Sequence, residues 1–287
     1  MSTQHQDRWS LNLQRIGREG RRFIKKTMRL VSPEGPDGWE DLLPGLQGLS
    51  HSAGGVTRIY GRPFYFLNKN SLLFLYDEII RQQIYRFRTA DTSPRIIDGG
   101  ANIGMGLVYF KHLYPDARIV AFEPDPAAFA TLAANAQAYD TKSIELRQEA
   151  LWTSSGTQRF HCEPSTLGGR IDASELGPDV LSVGTQRLRD LLDQDTALLK
   201  LDVEGAETEL LEDCGDALQR VEHLFVEYHS FADRPQTLHR LLHVVHNAGF
   251  RYHMHVFQPS PQPLLHRTIR HGIDAVDMNL DIFCFRV

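Results

Sequence analysis

The sequence predicts an α/β protein with a seven-stranded, mainly parallel sheet, helices on both faces and an N-terminal extension. Two observations predict it. From residue 91 onward, short apolar runs alternate with segments of helical periodicity. Such alternation implies parallel strands, because each crossover helix returns the chain to the same end of the sheet. Finally, the apolar runs Arg95–Asp98 and Arg118–Phe122 lead into acids, Asp98 and Glu123, with a glycine-rich turn after the first. Acids at adjacent strand ends mark a ligand pocket at the switch point of such a sheet.

The chain has 287 residues, a formal charge of −5 and 41% apolar residues, enough for one enzyme-sized α/β domain with an extension. No apolar run reaches the roughly 18–20 residues that span a bilayer. Met1–Ser10 is polar and lacks the apolar centre of a signal peptide. Cys162, Cys214 and Cys284 are far apart and form no zinc or iron–sulfur spacing. They fit a reducing compartment, so a cytoplasmic location is expected. The acidic balance argues against a nucleic-acid partner. One local exception is the basic run Arg15, Arg18, Arg21, Arg22, Lys25, Lys26 and Arg29, interleaved with Ile16, Phe23, Met28 and Leu30. It reads either as an amphipathic helix touching an anionic surface or as a solvated helix face. A homo-oligomer is compatible with the sequence.

The expected organisation is a basic helix and Gly/Pro-rich linker over 1–55, a hairpin and helix over 56–90, and the main domain over 91–287. Residues 32–55 hold Pro33, Gly35, Pro36, Gly38, Pro44, Gly45, Gly48, Gly54 and Gly55, the composition of a linker or irregular lid. Thr57–Leu67 alternates around Gly61 and predicts a hairpin. Ser71–Phe87 carries Leu72, Leu75, Ile79, Ile80, Ile84 and Phe87 at helical spacing. Strands are expected at 95–98, 118–122, 144–148, 197–202, 222–228, 250–257 and 280–286. Helices are expected at 104–113, 126–138, 205–213 and 235–248. Asp125 before Pro126 is an N-cap followed by proline at the first helical position. Leu238, Leu241, Leu242 and Val245 form a buried stripe that Gly249 stops. The segment Gln258–Asp277 between the last two strands lacks helical pattern, so a reversed strand is expected at one edge.

The pocket's chemistry follows from the glycines. A dinucleotide fingerprint needs Gly at i, i+2 and i+5, so that a pyrophosphate rests on a helix N-terminus. Here the glycines are Gly99, Gly100, Gly104 and Gly106, and no register fits. A turn led by Asp98 also disfavours an anion. S-adenosylmethionine (SAM) has no phosphate, and its methionine end carries an ammonium and a sulfonium. An acid at the first strand end suits that cation, and Glu123 is placed to accept the two ribose hydroxyls. An NAD-dependent oxidoreductase is the rival enzyme class; a non-catalytic SAM-fold protein is the rival outside catalysis.

Three blocks carry a resemblance: Ile96-Ile97-Asp98-Gly99-Gly100-Ala101-Asn102-Ile103-Gly104; Ala121-Phe122-Glu123-Pro124-Asp125-Pro126 with Asn135 downstream; and Leu199-Lys200-Leu201-Asp202-Val203-Glu204-Gly205-Ala206-Glu207. With Glu149-Ala150-Leu151 and Glu227-Tyr228-His229, and with Glu78 and Tyr85 upstream, their order and spacing resemble the FkbM family of SAM-dependent methyltransferases over roughly residues 56–287. The resemblance implies a Rossmann-like class I methyltransferase fold, SAM as donor, and O-methylation of a sugar, glycan precursor or other hydroxylated metabolite; a natural product is the alternative acceptor. One departure is Gly99, where a small apolar residue such as Val is commoner; glycine is expected to loosen the turn.

Residue by residue, the resemblance implies that Asp98, Gly99, Gly100, Asn102 and Gly104 line the methionine end, that Glu123 holds the ribose, and that Asp125 touches the adenine side. It places Glu149 and Ala150 at the base, and Asp202 and Glu204 facing both sulfonium and acceptor. An alcohol acceptor must lose its proton, which needs a base near neutral pKa. His229, close to Glu227 at a strand end, is the first candidate and Asp202 the second; Glu227 and His229 also read as a satisfied pair bracing the sheet. A divalent metal at Asp202, Glu204, Glu227 or His229 is chemically suitable, but the spacing does not demand one, and no metal ligand set is assigned. His253 with His255, and His239, His243 and His246, read as surface or pocket residues rather than a zinc site. Arg170, in the loop Thr166–Arg170, reads either as an acceptor contact under a glycine-hinged lid or as part of a plain hairpin connection. The absence of an Asn/Asp-Pro-Pro-aromatic block favours oxygen over nitrogen acceptors, and no Cys-x₃-Cys-x₂-Cys run exists for radical chemistry.

Overall fold

The chain divides into two units, Met1–Ile84 and Tyr85–Val287. The computed structural model describes residues 42–139, 143–163, 168–171, 180–232, 234–256, 262, 264–265 and 276–286. The basic run over 15–30 lies outside the described residues. Among the described residues no helix is long and apolar enough to cross a membrane.

In the first unit, β1 (Gly55–Ile59) and β2 (Arg62–Phe66) form the expected antiparallel hairpin. Tyr60 and Gly61 both take positive φ, 51° and 75°, which matches the strand twist in a two-residue turn. Helix α1 (Lys69–Leu75) starts at Asn68, whose side chain accepts the N–H groups of Asn70 and Ser71. The expected helix over Ser71–Phe87 is cut short. It passes into a π-turn at Tyr76–Arg81, where the Gln82 N–H bonds the Asp77 carbonyl at 2.9 Å. The Asp77 carboxylate holds Arg81 Nη1 (2.5 Å) and Gln82 Nε2 (2.8 Å), and Gln83 at φ 56° stops the helix.

The second unit contains β3 (Arg95–Gly99), β4 (Arg118–Phe122), β5 (Ile144–Arg147), β6 (Glu149–Trp152), β7 (Gly156–Glu163), β8 (Gly168–Ile171), β9 (Val180–Arg187), β10 (Thr196–Leu201), β11 (Val221–Phe231), β12 (Arg251–Val256) and β13 (Val276–Phe285). Its helices are α2 (Met105–Leu113), α3 (Pro126–Gln137), α4 (Leu188–Leu191), α5 (Glu207–Cys214) and α6 (Leu238–Asn247). The main sheet has the order β12-β13-β11-β10-β3-β4-β5. Strands β11, β10, β3, β4 and β5 run parallel, and β13 is antiparallel to both its neighbours. The reversed strand is therefore not the edge. Leu280, Ile282 and Cys284 of β13 are buried, whereas every residue of β12 is exposed, so the more apolar strand takes the inner place.

On one face α5 and α6 bring Leu210, Leu211, Leu241 and Val245 onto Leu199, Leu201, Leu224, Val226 and Ile282. On the other, Tyr85 bridges Phe110 of α2 (ring centroids 5.9 Å) and Phe225 of β11 (4.8 Å). A second sheet, β6-β9-β7-β8, fills 149–187, where no strand was expected beyond 148. It has its own small core of Ala150, Phe160 and Val183, with Ile171 against it.

Candidate active site

The site begins where β3 and β10 end side by side. Gly100 takes φ 75°, and a Cβ there would lie 1.8 Å from the Asp202 carbonyl oxygen, so any side chain would part the two strand ends. Gly104, at φ 89°, starts α2 against Leu132. Gly99 behaves differently from expectation. It is the last residue of β3, with Leu151 Cδ1 2.6 Å from where its Cβ would sit, so Leu151 occupies the room a larger residue would take. Its carbonyl accepts the Asp202 N–H at 3.1 Å, and the strand end is held rather than loosened.

A cleft of about 560 Å³, counting space open to solvent, lies over these strand ends. Of the residues expected at a cofactor, Gly100, Asn102, Glu123, Glu149, Ala150 and Asp202 line it, together with Phe122, Phe160, Ile171 and Glu204. Asp98, Gly99, Gly104 and Asp125 do not line it. Asp125 spends its Oδ1 on the N–H groups of Ala127 and Ala128, capping α3. Glu123 is 7% exposed; its two oxygens accept the N–H groups of Asn102 (2.8 Å) and Asp125 (2.9 Å). Burial pushes this carboxyl up to about 7, although both N–H groups pull it down. Among the described residues the lining holds four carboxylates, Glu123, Glu149, Asp202 and Glu204, and no Lys or Arg.

Asp98 lies beneath the cleft, 1% exposed, with Lys200 Nζ 3.3 Å from its Oδ1. Lys200 also donates to the Gly99 and Gly100 carbonyls (3.2 and 2.5 Å) and stands 3.5 Å from Asp202 Oδ2. Burial alone would discharge this ammonium, but Asp98, then Asp202 and Glu227, hold its pKa above the usual lysine value. The charge of Asp98 is thus met from within the protein. Sequence reasoning missed Lys200, although it is the lone charge in Thr196-Ala-Leu-Leu-Lys-Leu.

A second cleft adjoins the first, sharing Ile171, Glu204 and Ala206. It measures about 980 Å³, again counting space open to solvent, and is lined also by Trp152, Tyr228, His229, Phe231, Arg234 and Arg240. His229 is its hub. Nδ1 lies 3.2 Å from Glu207 Oε1, and Nε2 lies 3.5 Å from Glu227 Oε1 and 3.6 Å from Glu204 Oε2. Burial would depress the imidazole pKa, but Glu204, Glu207 and Glu227 together raise it well above the usual value. Glu207, 1% exposed, also accepts the N–H groups of Val203 (3.3 Å) and Gly205 (3.0 Å). It was not foreseen as a site residue. Asp202 lines the first cleft; burial first, then the Glu227 charge, raises its carboxyl well above the usual range. In Glu227 the burial effect is outweighed by His229 and Asn279, and its pKa falls.

Arg170 lies in β8, paired with β7, so the hairpin reading describes residues 168–171, and Thr166 and Leu167 fall outside the described residues. Arg170 is buried with its guanidinium 5.1 Å from the Phe231 ring, which Arg234 also approaches, at 5.6 Å. His255 faces Asp281 at 3.4 Å and His253 lies beside the Phe283 ring. His243 pairs with Asn247 within α6. Among the described residues these histidines join no metal-capable group.

The family model for the Methyltransferase FkbM domain matches residues 98–252, more than half of the chain. The chain belongs to the FkbM methyltransferase family. Among its relatives, Methyltransferase sdnD of Sordaria araneosa is 32% identical, with 52% of this chain and 71% of that protein covered. The hexuronic acid methyltransferase AglP of Haloferax volcanii is 32% identical over 53% of this chain and 63% of that protein. A solved FkbM methyltransferase structure from Methylobacillus flagellatus is 18% identical, with a TM-score of 0.44, covering 70% of this chain. This chain spans 46% of that one, and the likeness adds nothing to the strand order already described. The FkbM domain match contains both strand-end acids, the second sheet and the His229 cluster.

Proposed function

We propose that this FkbM methyltransferase uses SAM to O-methylate a hydroxyl of a sugar, a glycan precursor or a related hydroxylated metabolite. The observation that carries the cofactor reading is the first cleft's charge: among the described residues, four carboxylates and no basic side chain line it. That donor set suits a ligand with a sulfonium and an ammonium, and repels a pyrophosphate. Glu123, with one lone pair of each oxygen still open beyond its backbone bonds, suits a pair of ribose hydroxyls.

SAM supplies an electrophilic methyl group on a positively charged sulfur. The chain's own task is to place the acceptor oxygen in line with it and to take up the hydroxyl proton. Asp202 suits the second task best. It lines the first cleft next to Glu204, which lines both, and its raised pKa makes it a stronger base than an ordinary aspartate. This reverses the order expected from sequence, because His229, ringed by three glutamates, already holds its proton near neutral pH. Glu204 and Glu207 then orient His229 at the acceptor side, and Glu227 shares that role.

The acceptor class is supported by relatives whose names specify hexuronic acid methylation or 2-O-methylation. Titration of the purified protein with SAM and with NAD tests the cofactor; binding of NAD without SAM would refute the proposal. A methyl-mass shift across nucleotide sugars, glycans and phenols tests the acceptor.

A further inference from the structure

We infer that Asp202, Glu227 and His229 form a binding site for one divalent metal ion of the Mn²⁺/Mg²⁺ class, between the two clefts. One ligand atom from each residue lies within 4.8 Å of the others. Around a six-coordinate ion with bonds of about 2.1 Å, neighbouring ligand atoms sit about 3–4 Å apart, so small side-chain rotations close the set. The donors, two carboxylate oxygens and one imidazole nitrogen, suit Mn²⁺ and Mg²⁺ more than a thiophilic metal.

Outer partners hold these ligands in place. Glu207, itself fixed by two backbone N–H groups, engages Nδ1 of His229 and turns Nε2 toward Glu227 and Glu204. A metal-bound histidine characteristically gives its other ring N–H to such a carboxylate. A divalent cation that displaces the Nε2 proton of His229 takes the place between that nitrogen and Glu227 Oε1, which lie 3.5 Å apart. Asn279, directly opposite His229 in the β11–β13 register, donates to Glu227 Oε1 at 2.8 Å. Asn279 is 8% exposed, and its Oδ1 has no hydrogen-bond partner among the described residues. A buried acceptor beside the cluster is what a metal-bound water would donate to. The sequence spacing did not demand a cation; the fold brings the ligand atoms together from two strands.

The ion's use, lowering the pKa of an acceptor hydroxyl, rests on the O-methylation reading; its binding does not. Calorimetry and Mn²⁺ electron paramagnetic resonance on the full, chelator-stripped chain test it, with SAM affinity measured in parallel. The expected result is one Mn²⁺ per chain, bound roughly 10–100-fold more weakly by Glu227→Gln, His229→Gln and the outer variant Glu207→Gln. SAM affinity in Glu227→Gln stays within about threefold, because Glu227 does not line the first cleft. Absence of Mn²⁺ binding at millimolar metal, or equal binding by Glu227→Gln, overturns the inference, and a proton on Nε2 then fills the gap. Should His229→Gln not fold, Glu227→Gln decides. Failure of SAM binding in the unaltered chain would instead count against the cofactor reading alone.

Discussion

The two clefts meet their charges in different ways. In the first, Glu123 is held by backbone N–H groups of the turn and of the α3 entry, and Asp98 by a lysine from the next strand. At the second, among the described residues the His229 side chain pairs only with carboxylates, Glu204, Glu207 and Glu227. A backbone-held acid keeps its place whatever its neighbours' protonation. A cluster of mutually dependent side chains changes charge when any member does. On the proposed reading, the first arrangement suits the invariant SAM and the second an acceptor and its proton.

Gly100→Val should give the largest effect, since its Cβ would lie 1.8 Å from the Asp202 carbonyl. Loss of about 2–5 kcal/mol of stability is expected in thermal melts, with SAM binding abolished in calorimetry. Unchanged SAM affinity would show that the β3–β10 closure does not shape the first cleft.

Asp202→Asn should lower kcat by about 10²–10⁴-fold while SAM affinity changes less than about tenfold. A larger kcat loss in His229→Gln than in Asp202→Asn would reverse the assignment of the base and place the chemistry wholly in the second cleft.

Glu123 sharpens the comparison through pH. Its carboxyl sits near 7 in the folded chain against 4.5 as a free group. A raised carboxyl favours the folded state most below its unfolded pKa. That contribution, about 3 kcal/mol, is lost as pH rises from about 4.5 through 7. On the proposed reading the ionised form of Glu123 accepts the ribose hydroxyls, so SAM affinity should rise toward pH 7 and level off above it. Glu123→Gln should flatten both profiles, in melts and in calorimetry; a variant that keeps the wild-type slopes would locate the titration elsewhere.

The smallest effect is expected at the rim of the second cleft. Arg240 pairs with Glu212 at an exposed position. Arg240→Ala should cost under about 1 kcal/mol in stability. Its mark should fall on KM for the acceptor and not on SAM affinity; a weakened SAM complex would join the two clefts more closely than their linings do.

The contiguous parts of the site were legible because local chemistry announced them. Asp98-Gly99-Gly100 and Glu123-Pro124-Asp125 each combine an acid with turn or cap signals in one short block. Lys200 and Glu207 were present in the third block but gave no hint of their partners, which lie on β3 and β11. The second sheet was missed because it buries only a small core, Ala150, Phe160 and Val183 with Ile171 against it, so even its eight-residue strands Gly156–Glu163 and Val180–Arg187 carry a thin apolar pattern.

By itself, then, the sequence determined the strand–helix alternation, the parallel core and the acids at the ends of β3, β4 and β10. Periodicity and turn chemistry are local, and each residue carries that information alone. Only the tertiary structure decided that Asp98 is neutralised by Lys200, that β13 runs inside β12, and that His229 is ringed by three glutamates. Those outcomes depend on which strands become neighbours and on burial, and a charge's pKa is set by what surrounds it in space.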